Sequence, residues 1–308
     1  MVYNKLYSIL RTFSKEEITE FRKFLNSPYF NQNENAGKLF DAISSYHPEY
    51  ESGNLTGEKL HLEIFPGAQV NCGSINNLIT KIINLAEKFL AVKCFMEEEF
   101  ISDRLLLKEY DSRKLDNLFY AAINRSKEQL NRRKILDEEY YKNMYYINEL
   151  EIAFNRNRKP LGKLKNEFNM IPLSTEYLLY YVYLKIFHSH ITLLDAEQHV
   201  NLENGHSWVK ETASVILENA KNAPHTLLMD IYMKTVKFAE FKDDYDIDET
   251  FNEIFNNKNL LPPDKLKLIL SPLFNYCKEK EFAGDKSYGL KALKIMKLMV
   301  DKNLILDY

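Results

Sequence analysis

Apolar residues recur at intervals of three and four along almost the whole of this 308-residue chain, and nowhere do they alternate strictly over the length of a strand. That period places side chains on one face of a 3.6-residue helix, so the expected fold class is all-α. Turn-formers are scarce: with 9 Gly and 9 Pro, each stands at roughly 3%, against typical usage near 7% and 5%. Elements should therefore be long, which argues against a β-sandwich, a collagen-like chain or a disordered tail. Hydrophobic residues make up 45%, enough for a real core in one large domain or two smaller ones.

Start and stop signals divide this periodicity. Ser14-Lys15-Glu16-Glu17 reads as a capping box opening a helix on Ile18, Phe21, Phe24 and Leu25, and Pro28 bars the helical conformation at Ser27. Helices are expected over 33–46, 56–65 and 74–95, the last on Ile75, Leu78, Ile79, Ile82, Ile83, Leu85, Ala86, Phe89 and Leu90. Residues 1–100 are thus expected to form an N-terminal five-helix bundle. After Glu97-Glu98-Glu99 the helices lengthen. Segments 115–134 and 137–156 are joined by almost no turn chemistry, so one bent helix is open to them, and Pro160-Leu161-Gly162 ends the pair. Further helices are placed at about 175–193, 207–221, 224–242, 246–258, 264–281 and 286–302. Asp246 with Glu249 supplies a capping pair, and Pro262-Pro263-Asp264 starts the next helix. The spacing of about 40 residues between Trp208, Asp246 and Lys286 suits stacked helical hairpins, so 101–308 is read as an irregular α-solenoid, without a tetratricopeptide consensus. The last helix is odd, with Leu290, Leu293, Ile295, Met296, Leu298 and Met299 on more than one side, where a terminal repeat should carry a polar outer face. It docks back, makes a homo-oligomer contact, or belongs to a longer natural chain of which this is a fragment.

Net charge is -3 with a pI near 6.2, so the chain as a whole carries no bulk pull toward nucleic acid or an anionic membrane. Cys72, Cys94 and Cys277 form neither a CxxC pair nor a disulfide framework and are expected as partly buried thiols in a reducing cytoplasm. The N-terminus has no signal-peptide pattern, and the richest apolar run, 177–187, is interrupted by Lys185 and too short to span a bilayer.

Phe21-Arg22-Lys23-Phe24-Leu25-Asn26-Ser27-Pro28-Tyr29-Phe30-Asn31, then Ile64-Phe65-Pro66-Gly67, then Lys88-Phe89-Leu90, resembles the N-terminal region of an uncharacterised family of helical proteins common among Bacteroidetes. The resemblance implies a small helical module followed by tetratricopeptide-like hairpins, in relatives that are generally longer, and brings no catalytic residue. From the residues alone, Tyr29 and Phe30 are expected to fold back as aromatic plugs beside the helix stop.

Signs of chemistry are thin. Gly284-Asp285-Lys286-Ser287-Tyr288-Gly289 keeps the two-glycine spacing of a P-loop, but Leu290 and Lys291 replace the required Lys and Ser/Thr, so it reads as a loop between helices. His188, His190, His199 and His206 fall close together near Asp195, Glu197 and Glu203, yet His188 and His190 stand about 200° apart on a helix and cannot chelate together. Glu58-x-x-His61 and Glu203-x-x-His206 imitate the ExxH of di-iron bundles without its other carboxylates. No catalytic residue, metal or cofactor is assigned. Two binding readings follow. The tyrosines Tyr177, Tyr180, Tyr181 and Tyr183, with Phe187, exceed one helix stripe and could line a groove for a protein or peptide, which makes a non-catalytic scaffold or adaptor the leading expectation. The alternative is a nucleic-acid-binding or regulatory protein using the basic-aromatic stretch 125–165, with Arg125, Arg132, Arg133, Arg156, Arg158 and Lys159 on phosphates beside Tyr140, Tyr141, Tyr145 and Tyr146. The same rings packed between helices, with charges at helix ends, would be plain core.

Overall fold

The computed structural model describes residues 2–51, 53, 55–197, 207–219, 226–241 and 247–304. Among these residues every regular element is helical, fourteen α-helices and one 3-10 turn, so the chain is all-α. It divides into two compact units, Met1–Ser102 and Asp103–Tyr308.

The first unit contains α1 (Val2–Leu10), α2 (Lys15–Leu25), α3 (Glu34–Ser44), α4 (Gly57–Ile64) and α5 (Cys72–Glu97). The other four all pack on α5, whose buried residues are those picked out by the helical period except Leu90, which is exposed. The Ser14 capping box forms: its Oγ accepts the Glu17 N–H and its own N–H donates to Glu17 Oε2 at 2.8 Å. Phe21 is fully buried and its ring lies 5.0 Å from that of Phe40, 5.4 Å from Phe89 and 5.7 Å from Phe13. The motif that follows is a turn lock. Asn31 Nδ2 donates to Leu25 O and Asn33 O, its Oδ1 accepts the Asn33 N–H, and Asn33 Oδ1 caps α3. Phe30 stacks on Phe24 at 4.0 Å. Tyr29 departs from the expected plug: Phe30 already covers Phe24, and Tyr29 rests on the edge of Phe30 with 89% of its surface exposed.

The α6 helix (Glu99–Ser112), which the sequence reading did not place, carries the chain from one unit into the other. Next come α7 (Asp116–Asn131) and α8 (Glu138–Arg156), two helices and not one bent helix. Asp137 separates them: its backbone is extended at φ -93 and ψ -175, and its carboxylate accepts the Tyr140 N–H, restarting the helix. A 3-10 turn at Leu161–Lys163 leads into α9 (Lys165–Glu197), which begins ten residues before the expected 175 and runs through Pro172. Two contacts hold those first turns despite the missing N–H: Lys159 pairs with Glu167, and Ser174 donates to Glu149 of α8. Helices α10 (Ser207–Asn219), α11 (Leu227–Phe241), α12 (Ile247–Asn257), α13 (Pro263–Phe282) and α14 (Ser287–Asp301) follow. Pro263 opens α13 as expected, whereas Asp246 of the proposed capping pair lies outside the described residues. Helices α9, α11 and α13 pack on one another, and α10, α12 and α14 each pack on the helix before them. Those three begin at Ser207, Ile247 and Ser287, two intervals of 40 residues.

The thiols differ from expectation: Cys277 is fully buried, but Cys72 and Cys94 are exposed. No helix among the described residues is long and apolar enough to cross a membrane.

Replacing Phe21 by Ala removes the centre of the aromatic cluster, and the expected cost is about 3–5 kcal/mol of stability. Chemical denaturation followed by far-ultraviolet circular dichroism checks it; a loss under about 1 kcal/mol would show that the cluster is not where the first unit holds together.

Candidate functional site

Helix α9 buries different sides along its length. Leu184, Phe187, His190 and Ile191 are buried, and α8, α10, α11 and α13 all pack along this helix. The four tyrosines picked out from the sequence lie on α9, each half-buried. Tyr177 and Tyr180 stand against α8: Tyr177 is 6.2 Å from Tyr140 and 6.3 Å from Tyr141, and Tyr180 is 5.5 Å from Tyr141. Tyr183 continues the row at 6.4 Å from Tyr180. Such edge-to-face rows are favourable packing for aromatic rings, and part of each α9 ring remains open to solvent. Burial, with Tyr177 alongside, pushes the Tyr140 hydroxyl up to about 12, so it stays a neutral donor.

The sequence reading missed a run of apolar residues on another side of α9. Phe168, Ile171, Leu179 and Val182 are all exposed, at 38–45%. With Thr175 between them, their spacing of 3, 4, 4 and 3 makes one stripe, a signal that was present in the sequence but was hidden by ending the pattern at Pro160-Leu161-Gly162 and restarting it at 175.

Deeper in the second unit four helices meet at a charge. Glu138, the first residue of α8, has a side chain 5% exposed; its Oε1 accepts from Lys265 Nζ of α13 at 2.7 Å and lies 3.3 Å from His188 Nδ1 of α9. The His188 ring contacts Tyr232 of α11, whose fully buried hydroxyl, like Glu138 Oε2, finds no hydrogen-bond partner among the described residues. Burial pushes the Glu138 carboxyl up, but the His188 and Lys265 hydrogen bonds outweigh it and hold the group down at about 2. Burial, with the Glu138 charge nearby, pushes the Tyr232 hydroxyl up instead. This is an acid held as its anion and a phenol held neutral, an arrangement that ties helices together.

Of the six basic residues of the alternative reading, Arg125 lies within α7, Arg132 and Arg133 follow its end, and Arg156, Arg158 and Lys159 stand at the end of α8. Arg158 is held by Asp111 at 2.7 Å and Asp116 at 2.8 Å, with its guanidinium over the Phe154 ring. Lys159 pairs with Glu167 at 2.7 Å, Arg133 with Asp137 at 3.3 Å and Arg125 with Asp103 at 3.4 Å. Arg132 and Arg156 are exposed, Arg132 at 3.8 Å from the equally exposed Glu128. Of the histidines, His188 belongs to the Glu138 centre, His190 is buried, and His61 is buried with its ring 5.0 Å from Phe65. His199, Glu203 and His206 lie outside the described residues, among which no three metal-ligating side chains come together. Gly284 has a φ of +110 in the turn between α13 and α14, where Asp285 accepts from both the N–H and the hydroxyl of Ser287. Comparison of the chain with protein-family models, curated proteins and solved structures finds no match.

A carboxyl held at about 2 when folded and near 4.5 when unfolded contributes about 3 kcal/mol above pH 4.5. Because the folded value is the lower one, this contribution is lost as pH falls from 4.5 through 2. Replacing Lys265 by Met should cost about 3 kcal/mol at neutral pH and flatten that acid limb, read as a thermal midpoint some 6–12 °C lower. A variant with an unchanged acid limb would show that Lys265 does not hold the Glu138 charge.

Proposed function

We propose that this chain is a non-catalytic protein-interaction module, a scaffold or adaptor, that takes its partner on the open face of α9. One observation carries the reading: Phe168, Ile171, Leu179 and Val182 form an exposed apolar stripe on α9, flanked by Tyr183, while Tyr177, Tyr180 and Tyr181 are half-buried on other sides of the same helix. Contiguous apolar surface on a packed scaffold marks binding faces, and tyrosines offer large contact area at small entropic cost. The stripe runs over 15 residues from Phe168 to Val182, about 21 Å, a length matched by the apolar face of an amphipathic helix of four turns. The reading takes α1–α5 as a five-helix bundle, and α7–α14 as an irregular tetratricopeptide-like solenoid, as in the Bacteroidetes family that the N-terminal motif resembles. The 40-residue recurrence of α10, α12 and α14 supports it. The three unpaired cysteines suit a reducing, cytoplasmic setting.

The test is capture of partners from native lysate with the full chain, after nuclease treatment, followed by calorimetry on the identified partner. Replacing Leu179 and Val182 together by Asp should weaken that partner by at least about 30-fold while the circular dichroism is unchanged. Reversing Arg132 and Arg156 to Glu should leave its affinity within about twofold, since these charges lie off the stripe. Recovery that depends on intact nucleic acid and is lost on reversing Arg132 and Arg156 would replace this reading with the nucleic-acid one.

A further inference from the structure

We propose that the outward face of α14, together with the end of α13, docks on the surface of an anionic lipid bilayer. The inward face of α14 is accounted for, since Tyr288, Ala292, Ile295 and Leu298 are buried and the helix packs on α13. Its opposite arc is apolar and open: Leu290 is 68% exposed and Val300 59%, with Leu293 and Met296 between them, and Phe282 at the end of α13 is 83% exposed. The charges on that arc are mainly basic. Lys286, Lys294 and Lys297 are exposed there, against Asp301 alone. Lys291 is turned aside to Asp248 at 2.7 Å and Glu281 is paired with Lys278, while Asp285 keeps its negative charge at the turn before the helix.

The local composition agrees. Between Lys258 and Leu304 stand ten lysines and five carboxylates, in a chain whose net charge is -3. An apolar arc set among lysines is the pattern of a helix lying in a membrane interface, its aliphatic groups in the acyl boundary and its lysine stems reaching up to lipid phosphates. No described helix is long and apolar enough to cross a membrane, so this is surface binding. Charge decides between occupants. A second copy would bring the same lysines face to face, and a packed helix would desolvate Lys297, which stands in line with Leu290, Leu293 and Val300. A phosphate backbone would leave Leu290, Leu293 and Phe282 in water.

The experiment is co-sedimentation of the full chain with vesicles of phosphatidylcholine, with and without phosphatidylglycerol, at low and high salt. The expected result is binding that needs phosphatidylglycerol and falls with salt. Replacing Lys286, Lys294 and Lys297 by Ala should weaken it roughly a hundredfold, about fivefold for each lysine. Leu293→Ser with Val300→Ser should weaken it about tenfold at constant charge. All five positions are exposed, so circular dichroism should show the fold retained. The Leu179→Asp, Val182→Asp chain should bind vesicles as the parent does, which keeps this face separate from that on α9. Binding equal on neutral vesicles, absent on both, or insensitive to the α14 substitutions overturns the proposal. So does self-association, or duplex DNA binding, that the α14 substitutions abolish while vesicles are not bound.

Discussion

A helix satisfies its own backbone and gains further stability only by burying a side, so a chain built from helices alone depends on those that can bury more than one side. Two helices meet that demand here. In the first unit α5 receives α1, α2, α3 and α4 along 26 residues, and in the second α9 receives α8, α10, α11 and α13 along 33. Shorter helices such as α2 and α12 have a single apolar stripe, which α2 lays on α5 and α3 and α12 on α11.

Apolar contact leaves helices free to slide, and the second unit has a polar restraint against it. Glu138 is committed as an anion by two donors from different helices, so α8, α9 and α13 are in register only where all three side chains meet. Burying that charge is expensive and is offset only when both donors are in place. Lys159 with Glu167, and Ser174 with Glu149, add the same kind of restraint along α8 and α9. The consequence is visible at Pro172, where a helix that local chemistry would end continues without a break.

With the packing faces so occupied, what remains exposed acquires meaning. The α9 stripe carries apolar and aromatic groups and few charges, which is why a protein partner is proposed there. The α14 arc mixes the same apolar groups with lysines, which is why an anionic surface is proposed there. Whole-chain charge conceals this difference, because the acidic helices elsewhere outweigh the basic end. Conversely, the basic stretch most conspicuous in the sequence is largely neutralised once folded, with Arg158 and Lys159 held by carboxylates.

Sequence alone determined the helical class, the capping box at Ser14, the stop before Pro28, the core positions of α5 and the 40-residue recurrence, because each depends on residues within a turn or two of one another. It identified Tyr177, Tyr180, Tyr181 and Tyr183 as more rings than one stripe needs, but not which side of each ring would be covered. Tertiary structure decided the rest. The continuation of α9 through Pro172 from its start at Lys165 rests on Ser174 donating to Glu149 of α8, whereas the Asp137 cap that separates α7 from α8 is local and was passed over. The exposure of Tyr29 follows from Phe30 reaching Phe24 first. The meeting of Glu138, His188, Tyr232 and Lys265 joins residues up to 127 positions apart, and no local period relates them. Helix formation is local and readable along the chain, whereas burial and charge pairing are set by which helices end up side by side.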